Sequence, residues 1–450
     1  MSTAPAAPNA APNAATENAE RLVARLRATF RSGRTKPLAW RSEQLTRLRA
    51  LLTENRAELV EALHQDLGKP AAEASGADID LPIREIDHIL AHLAEWLAPQ
   101  PVDVAEVFGA AATAGTRLDP LGTVLIIAPW NYPVQLLTAP LAGALAAGNT
   151  VVVKPSELAP ATSAAVARLI PQYLDREAVA VVEGAVPETT ALLAQHWDHI
   201  FYTGNGVVGR IVMRAAAEHL TPVTLELGGK SPVFVDADAD LDAAARRLAQ
   251  AKFANAGQTC VAPDYVLTDP ATARRLEPAL ARAVEELFGA DPQQSPRYGR
   301  IVNERHFDRV AGLLDSGRTV TGGSHDRGDR YIAPTVLAEV APDAPVMQEE
   351  IFGPVLPIVE VDGLDAAIDF INDRDKPLAL YGFTGNEATR RRLAEETSSG
   401  GLGFGAPMAH LRVPELPFGG VGESGMGGYH GLLSVETFSH RKAVLDVPLG

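Results

Sequence analysis

From Gly122 onward the chain alternates short apolar runs with segments of helical period. No other feature restricts the fold as much. Thr123 to Ala128, Thr150 to Val153, Val179 to Val182 and His199 to Tyr202 read as strands. Val134 to Ala147, Thr162 to Ile170, Pro187 to Ala194 and Val207 to His219 read as helices. Strands that are apolar along their whole length are covered on both faces, which predicts a parallel, doubly wound sheet between helices. Such α/β sheets take ligands in the crevice beyond the carboxyl ends of their strands. A second α/β block begins near Leu227, with a strand over Pro232 to Val235 and a helix over Leu241 to Asn255. Ahead of both, Asn18 to Leu97 is charged and helical, with Leu45, Leu48, Leu52, Leu59 and Leu63 forming one apolar stripe.

One stretch imitates a membrane span. No charged residue occurs from Pro120 to Val153, longer than the ~20 residues a spanning helix needs. Pro129, Pro133 and Pro140 interrupt it, and the Trp130-Asn131 pair is polar. A buried strand, a loop and a core helix explain it better. At 450 residues the chain is long enough for two or three domains and a large core. A net charge of −16 argues against nucleic acid and anionic membrane as partners, since both need a basic face. The single cysteine excludes an internal disulfide framework and fits a reducing cytoplasm. Residues 1–18 open with an uncharged Ala/Pro/Asn-rich run without a basic or apolar leader pattern, and read as a disordered extension.

That cysteine stands in Phe253-Ala-Asn-Ala-Gly-Gln-Thr-Cys260, and upstream lies Leu225-Glu226-Leu-Gly-Gly-Lys-Ser-Pro232. A thiolate attacks carbonyl carbon, and a carboxylate among apolar neighbours is tuned toward neutral pH, so the two suit a nucleophile and a base. Taken alone, a single Cys is more often a small buried hydrophobe. Gly204-Asn205-Gly206-Val207-Val208-Gly209 matches the dinucleotide pattern G-x-G-x-x-G between a strand and a helix, with Glu226 about twenty residues on. Read mechanically, that spacing would make Glu226 a ribose ligand. Gly229-Lys230-Ser231 lacks the upstream Gly of a P-loop, because Thr224 stands there, which removes an ATPase reading.

These runs resemble the aldehyde dehydrogenase superfamily, and its class 3 branch in particular. The same resemblance extends to Ala128-Pro-Trp-Asn-Tyr-Pro133, Val153-Lys-Pro-Ser-Glu157, Gln348-Glu-Glu-Ile-Phe-Gly-Pro354, Leu416-Pro-Phe-Gly-Gly-Val-Gly422 and Ser424-Gly-Met-Gly-Gly-Tyr-His-Gly431, in order from about Arg21 to Val447. It implies an NAD(P)-binding domain over 19–100 and 118–226, a catalytic domain over 227–423, and segments 101–117 and 424–450 that bridge subunits in a homodimer. It also implies NAD(P)-dependent oxidation of an aldehyde to a carboxylic acid, without a metal. The expected route runs through a thiohemiacetal and a thioester on Cys260, with Glu226 as the base that activates water and Asn131 in the oxyanion hole. Aromatic or medium-chain aliphatic aldehydes are the implied substrates. Two alternatives stay open: acyl transfer to coenzyme A, and a catalytically silent paralogue.

For the cofactor, NAD or NADP, the resemblance points to Trp130, Lys154, Glu157, the loop Gly204 to Gly209, Glu350 and Phe352. Lys154 and Glu157 would meet the adenosine ribose, which favours NAD. Glu350 and Phe352 would hold and flank the nicotinamide ribose. Each has a plainer reading as well: an Asn before Tyr-Pro makes turns, Ser-Glu starts helices, and an acid-acid-apolar run is usually a solvated turn. Lys230, Tyr429 and His430 stay undecided between active-site and ordinary roles. Gly405-Ala406 departs from the family's usual Asn-Asp, and Phe404 beside it is expected to add apolar surface at the substrate mouth.

Overall fold

The computed structural model describes residues 14–449. The predicted strands assemble into a six-stranded sheet. Its order is Gly425–Met426, Val223–Glu226, His199–Thr203, Thr123–Ile127, Thr150–Lys154, Val179–Val181. All neighbours are parallel except Gly425–Met426, which runs antiparallel to Val223–Glu226. The chain builds outward from Thr123–Ile127 in both directions. The strand order therefore reverses between Thr123–Ile127 and His199–Thr203, and the crevice for a ligand opens at such a reversal. The loops leaving those two strands carry Trp130-Asn131 and Gly204 to Gly209.

The charge-free run folds as the uncharged composition requires. After its first strand, every residue of the helix Gln135–Ala147 is buried. It lies between the sheet and the helices Leu38–Glu54, Leu81–Trp96 and Gly431–Thr437. Among the described residues no helix is long and apolar enough to cross a membrane.

The second block is a seven-stranded sheet: Arg318–Thr321, Thr335–Ala338, Val355–Glu360, Tyr265–Thr268, Pro232–Val235, Ala379–Phe383, Gly401–Phe404. A third sheet joins Gln100–Val102, Thr113–Pro120 and Ser439–Asp446 in antiparallel pairing.

Three expectations change. Residues 1–13 of the expected disordered extension lie outside the described residues, but Ala14 to Asn18 form the start of the helix Ala14–Arg31. The segment 424–450 divides: Gly425–Met426 and Gly431–Thr437 belong to the six-stranded sheet and its helices, and only Ser439–Asp446 joins the three-stranded sheet. The hydrophobic pattern misses this because a two-residue strand has no period. The helix expected to reach Asn255 stops at Phe253, where the chain turns into a tight 3-10 segment.

Candidate active site

Between the helix Leu241–Phe253 and Cys260 the backbone is strained. Asn255, Ala256 and Gly257 take φ of 49°, 52° and 75° in succession. Non-glycine residues avoid this region, and such strain collects at functional sites. Gly257 has no alternative: a Cβ there would lie 2.2 Å from the Gly353 carbonyl oxygen. That contact seats the cysteine loop against the Glu350-Ile-Phe-Gly-Pro354 loop. Gln258, fully buried, donates to Asn255 O and Arg300 O at 2.9 Å each and accepts from the Val302 amide at 2.9 Å.

Glu226 ends its strand, 2% exposed. Neither carboxylate oxygen has a hydrogen-bond partner among the described residues. Burial raises its pKa well above the usual carboxylate range. Cys260 sits within charge–charge reach: burial first, then Glu350 and Glu226, push its thiol up, while the amides of Cys260 and Val261 oppose the shift. The thiol is thus held neutral, and it would need to give up its proton to act as a nucleophile. The Glu226 carbonyl also accepts from the Gly204 amide at 3.0 Å. The glycine loop and Glu226 are therefore held by adjacent strands, and the Glu226 carboxylate lies within charge–charge reach of the thiol.

Asn131 is 3% exposed and donates from Nδ2 to Gln258 O at 3.0 Å. One of its two N–H bonds is spent fixing the amide, and one remains. Its backbone carbonyl accepts from Lys69 Nζ at 2.8 Å and from Asn255 Nδ2 at 2.8 Å. Lys69 is fully buried, paired with Asp78 at 2.7 Å, and its ammonium lies 4.0 Å from the Tyr132 ring centroid. Tyr132 in turn hydrogen-bonds Thr259 at 2.8 Å. A wide π-helical turn over Ala74–Asp80 brings Asp78 back to Lys69. Lys69 and Asp78 escaped the sequence reading, and Asn255 and Gln258 stood in the cysteine run without an assigned role.

The glycine loop departs from a bare phosphate cradle. Asn205 caps the helix Gly206–Ala217, accepting from the Val208 amide at 3.0 Å. That amide is satisfied internally, as the Ser/Thr/Asn class of N-cap does. Val207 is 73% exposed at the rim. A Cβ on Gly204 would meet the Tyr202 hydroxyl at 2.2 Å, and one on Gly209 would touch Leu227 at 3.0 Å, so both glycines allow close packing against the sheet.

Lys154 and Glu157 lie together behind the second strand. Lys154 Nζ, 2% exposed, reaches Glu157 at 3.1 Å, while Glu157 stays largely open to solvent. Trp130 and Phe352 pack edge to face at 5.3 Å. Glu350 tucks against Gly228, where a Cβ would lie 2.2 Å from its Oε2. Its Oε1 is shielded from solvent and unpartnered among the described residues, and burial raises its pKa to about 8. Lys230 holds this loop from below. It pairs with Asp264 and donates to Val346 O and Glu349 O at 2.9 Å each, while Asp264 accepts from the Ile351 amide at 3.0 Å. Lys230 is thus a support for the Glu350 loop.

Tyr429 is buried within reach of the charges of Glu226 and Cys260. His430 stacks on Phe418 with centroids 5.5 Å apart. Phe404 is a correction: it covers Gly382 and Leu393 beneath the Arg390 guanidinium, so it faces the helix Glu387–Glu396 rather than a substrate mouth. Gly405 has φ of 70°, and its carbonyl accepts from Arg247.

With this geometry in view, comparison with known proteins is decisive. The model of the "Aldehyde dehydrogenase family" matches residues 7–444. The chain belongs to that family. The rat "Aldehyde dehydrogenase, dimeric NADP-preferring" is 50% identical over 430 residues, covering 94% of this chain and 93% of the rat protein. The Bos taurus "Aldehyde dehydrogenase family 3 member B1" is 52% identical over 421 residues, covering 94% of this chain and 90% of its own. A solved structure described as "Substrate bound state of Staphylococcus Aureus AldH" superposes with a TM-score of 0.93 at 44% identity, covering 95% of this chain and 93% of that one. The expected fold and class 3 affinity are borne out.

Proposed function

We propose that this class 3-type aldehyde dehydrogenase oxidises an aldehyde to a carboxylic acid with NAD or NADP, using Cys260 as nucleophile and Glu226 as base. The observation that carries the roles is the pairing of a neutral thiol with a buried carboxylate whose two oxygens have no partner among the described residues. A buried carboxylate without partners is costly unless it takes or holds a proton.

The thiol proton leaves to a base or to water as sulfur bonds to the aldehyde carbon. The free N–H of Asn131 and the Cys260 amide stabilise the oxyanion. Preorganised donors of this kind contribute roughly 2.7–4 kcal/mol each. Held by Glu350, Phe352 and Trp130, a nicotinamide would supply the acceptor for the hydride of the same carbon, and Cys260 would then carry the acyl group as a thioester. Glu226 then takes a proton from water, hydroxide adds to the thioester carbonyl, and the C–S bond breaks to release the acid and the thiolate.

The residues fit the cofactor. Glu350 offers a shielded oxygen without a partner, Trp130 and Phe352 form an apolar wall, and Lys154 with Glu157 stands at the end of the second strand. Glu157 accepts from ribose hydroxyls and repels a 2′-phosphate, which supports a preference for NAD; the name of the rat relative, "NADP-preferring", sets the contrary expectation. Aromatic and medium-chain aliphatic aldehydes are the proposed substrates. The unpartnered Glu226 favours hydrolysis over transfer to coenzyme A, which needs no such base.

The chain is proposed to act as a cytoplasmic homodimer. The strand Ser439–Asp446 is largely exposed, with Val444 and Leu445 about half open, and such an edge suits pairing across subunits. The rat relative is called dimeric by name. Sedimentation of the intact chain as a monomer would overturn that assembly. The activity itself is tested by following NADH from a panel of aldehydes, with and without coenzyme A. Oxidation that needs coenzyme A would replace the hydrolytic route with the acylating one.

A further inference from the structure

A buried ammonium stands in the chain just ahead of the cysteine loop. Lys252 lies in the last turn of the helix Leu241–Phe253, before the strained residues Asn255 to Gly257. It is fully buried, and its Nζ has no hydrogen-bond partner among the described residues. A buried charge without a partner is costly, and such groups collect at functional sites.

The charged groups that face Lys252 are Asp264, Lys230 and Glu350. Asp264 is committed: it pairs with Lys230 and accepts from the Ile351 amide at 3.0 Å. Glu350 is not. The Gly229 amide supports its carboxyl, but Oε1 has no partner among the described residues. Besides Asp264 and Lys230, the groups that face Glu350 are Arg309 and the Cys260 thiol. Arg309 donates to the main-chain oxygens of Ile351 at 2.7 Å and Glu350 at 3.4 Å. Lys230 is spent on Asp264 and on the carbonyls of Val346 and Glu349. Lys252 is therefore the cation left for the Glu350 carboxylate. The close approach of Gly257 to the Gly353 carbonyl holds the segment after Lys252 against the Glu350 loop.

An ionised carboxyl can accept from both hydroxyls of a ribose, whereas a neutral one must keep a proton on one oxygen. In the cofactor-free protein, burial keeps Glu350 protonated near neutral pH. Ionising a carboxyl away from water needs a countercharge. Burial lowers the pKa of Lys252 to about 8, against the pull of Asp264 and Glu350, so it is still an ammonium near pH 7.

We propose that Lys252 is a positioning residue for the cofactor: its ammonium is the countercharge that lets Glu350 ionise and accept from the hydroxyls of the nicotinamide ribose. Cofactor binding then expels the carboxyl proton to solvent, and the ammonium stays. This rests on the reading of Glu350 as the ribose acceptor.

NADH binding tests it without turnover. Affinity is followed by fluorescence across roughly pH 6–10, and the protons released are counted by calorimetry in buffers of different ionisation enthalpy. In the unaltered protein, affinity should rise as Glu350 ionises and fall again as Lys252 loses its proton, with about one proton released near pH 7. Lys252→Met should bind NADH about tenfold more weakly near pH 7 and release fewer protons, because the carboxyl stays protonated, and its affinity should keep rising with pH. Lys252→Arg stays charged throughout, so it should keep the affinity and lose the fall at high pH. Glu350→Gln should release no proton, and adding Lys252→Met to it should weaken binding no further. A purely structural lysine would leave the proton count unmoved. A proton count and pH profile in Lys252→Met equal to those of the unaltered protein overturn the proposal. If Lys252→Met does not fold, a fall at high pH that persists in Lys252→Arg overturns it. If Glu350→Gln binds NADH as well as the unaltered protein does, the ribose reading of Glu350 fails and the role of Lys252 with it. If Glu350→Gln weakens binding and Lys252→Met does not, the role of Lys252 alone fails.

Discussion

Lys69 Nζ donates to the backbone carbonyl of Asn131 at 2.8 Å, from inside the protein and with no solvent contact. The ammonium also bonds Asp78 at 2.7 Å, and Asp78 accepts from the Val134 amide at 3.3 Å, at the entry to the helix that follows Asn131. The backbone at Asn131, whose side chain is the proposed oxyanion donor, is thus held from behind by a buried ion pair. A buried pair is weak evidence of stabilisation, but removing one partner leaves an uncompensated charge.

Lys69→Met is therefore expected to cost about 3–5 kcal/mol of stability and at least about tenfold in kcat. The pair variant Lys69→Met/Asp78→Leu should recover most of the stability, because no lone charge remains. It should not recover kcat, because the Asn131 carbonyl keeps only its Asn255 donor and loses the ammonium that fixes it. Chemical denaturation and steady-state rates on both variants read this out. Recovery of rate along with stability would reduce Lys69 to a packing role.

Three carboxyls are pushed up by burial: Glu73 to about 7, Glu350 to about 8, and Glu226 well above the usual carboxylate range. In the unfolded chain they lose protons near 4.5. Between that value and the folded pKa the folded state holds more protons, so stability falls as pH rises. Each such group costs about 1.4 kcal/mol per pH unit over that window. The cofactor-free protein should melt higher near pH 5.5 than near pH 8.5, and Glu350→Gln should flatten the difference. An unchanged slope in Glu350→Gln would show that this carboxyl is not held protonated.

Glu226→Gln keeps the shape of the base and removes its proton affinity. With NAD⁺ and excess aldehyde it is expected to release about one NADH per site and then turn over very slowly. The quenched protein should carry the acyl mass on its single cysteine. A steady rate equal to that of the unaltered chain would assign water activation to another group.

Glu157→Gln should raise the use of NADP relative to NAD, since a carboxylate next to a 2′-phosphate is repulsive. The ratio of kcat/KM for the two cofactors is the readout. No change would place the adenosine ribose elsewhere.

The fold was legible because five sheet strands are uniformly apolar and separated by helices of clear period. Glu226, Cys260 and Asn131 were legible as types in unusual settings, and the family resemblance assigned their roles. What stayed hidden depends on long-range contacts. Lys69 and Asp78 are ordinary residues until a π-helical turn faces them together, and Asp264 matters only through a loop that arrives from Glu349 and Ile351. In the sequence Asn205 is only a variable position of a dinucleotide pattern, but in the fold it is the N-cap of the next helix. Phe404 had an apolar side chain and two possible faces, and its packing beside Gly382 under Arg390 puts it on the helix side.

The central claim is that Cys260 forms the covalent intermediate, and alkylation tests it most directly, because no other thiol exists to confuse the result. Burial above all keeps the thiol protonated, so labelling by iodoacetamide should quicken as pH rises. Intact mass and NADH production are followed on the same samples. The account predicts one adduct per chain, with turnover lost in proportion to it. Protein that carries the adduct in full and still oxidises aldehyde at the original rate would contradict it.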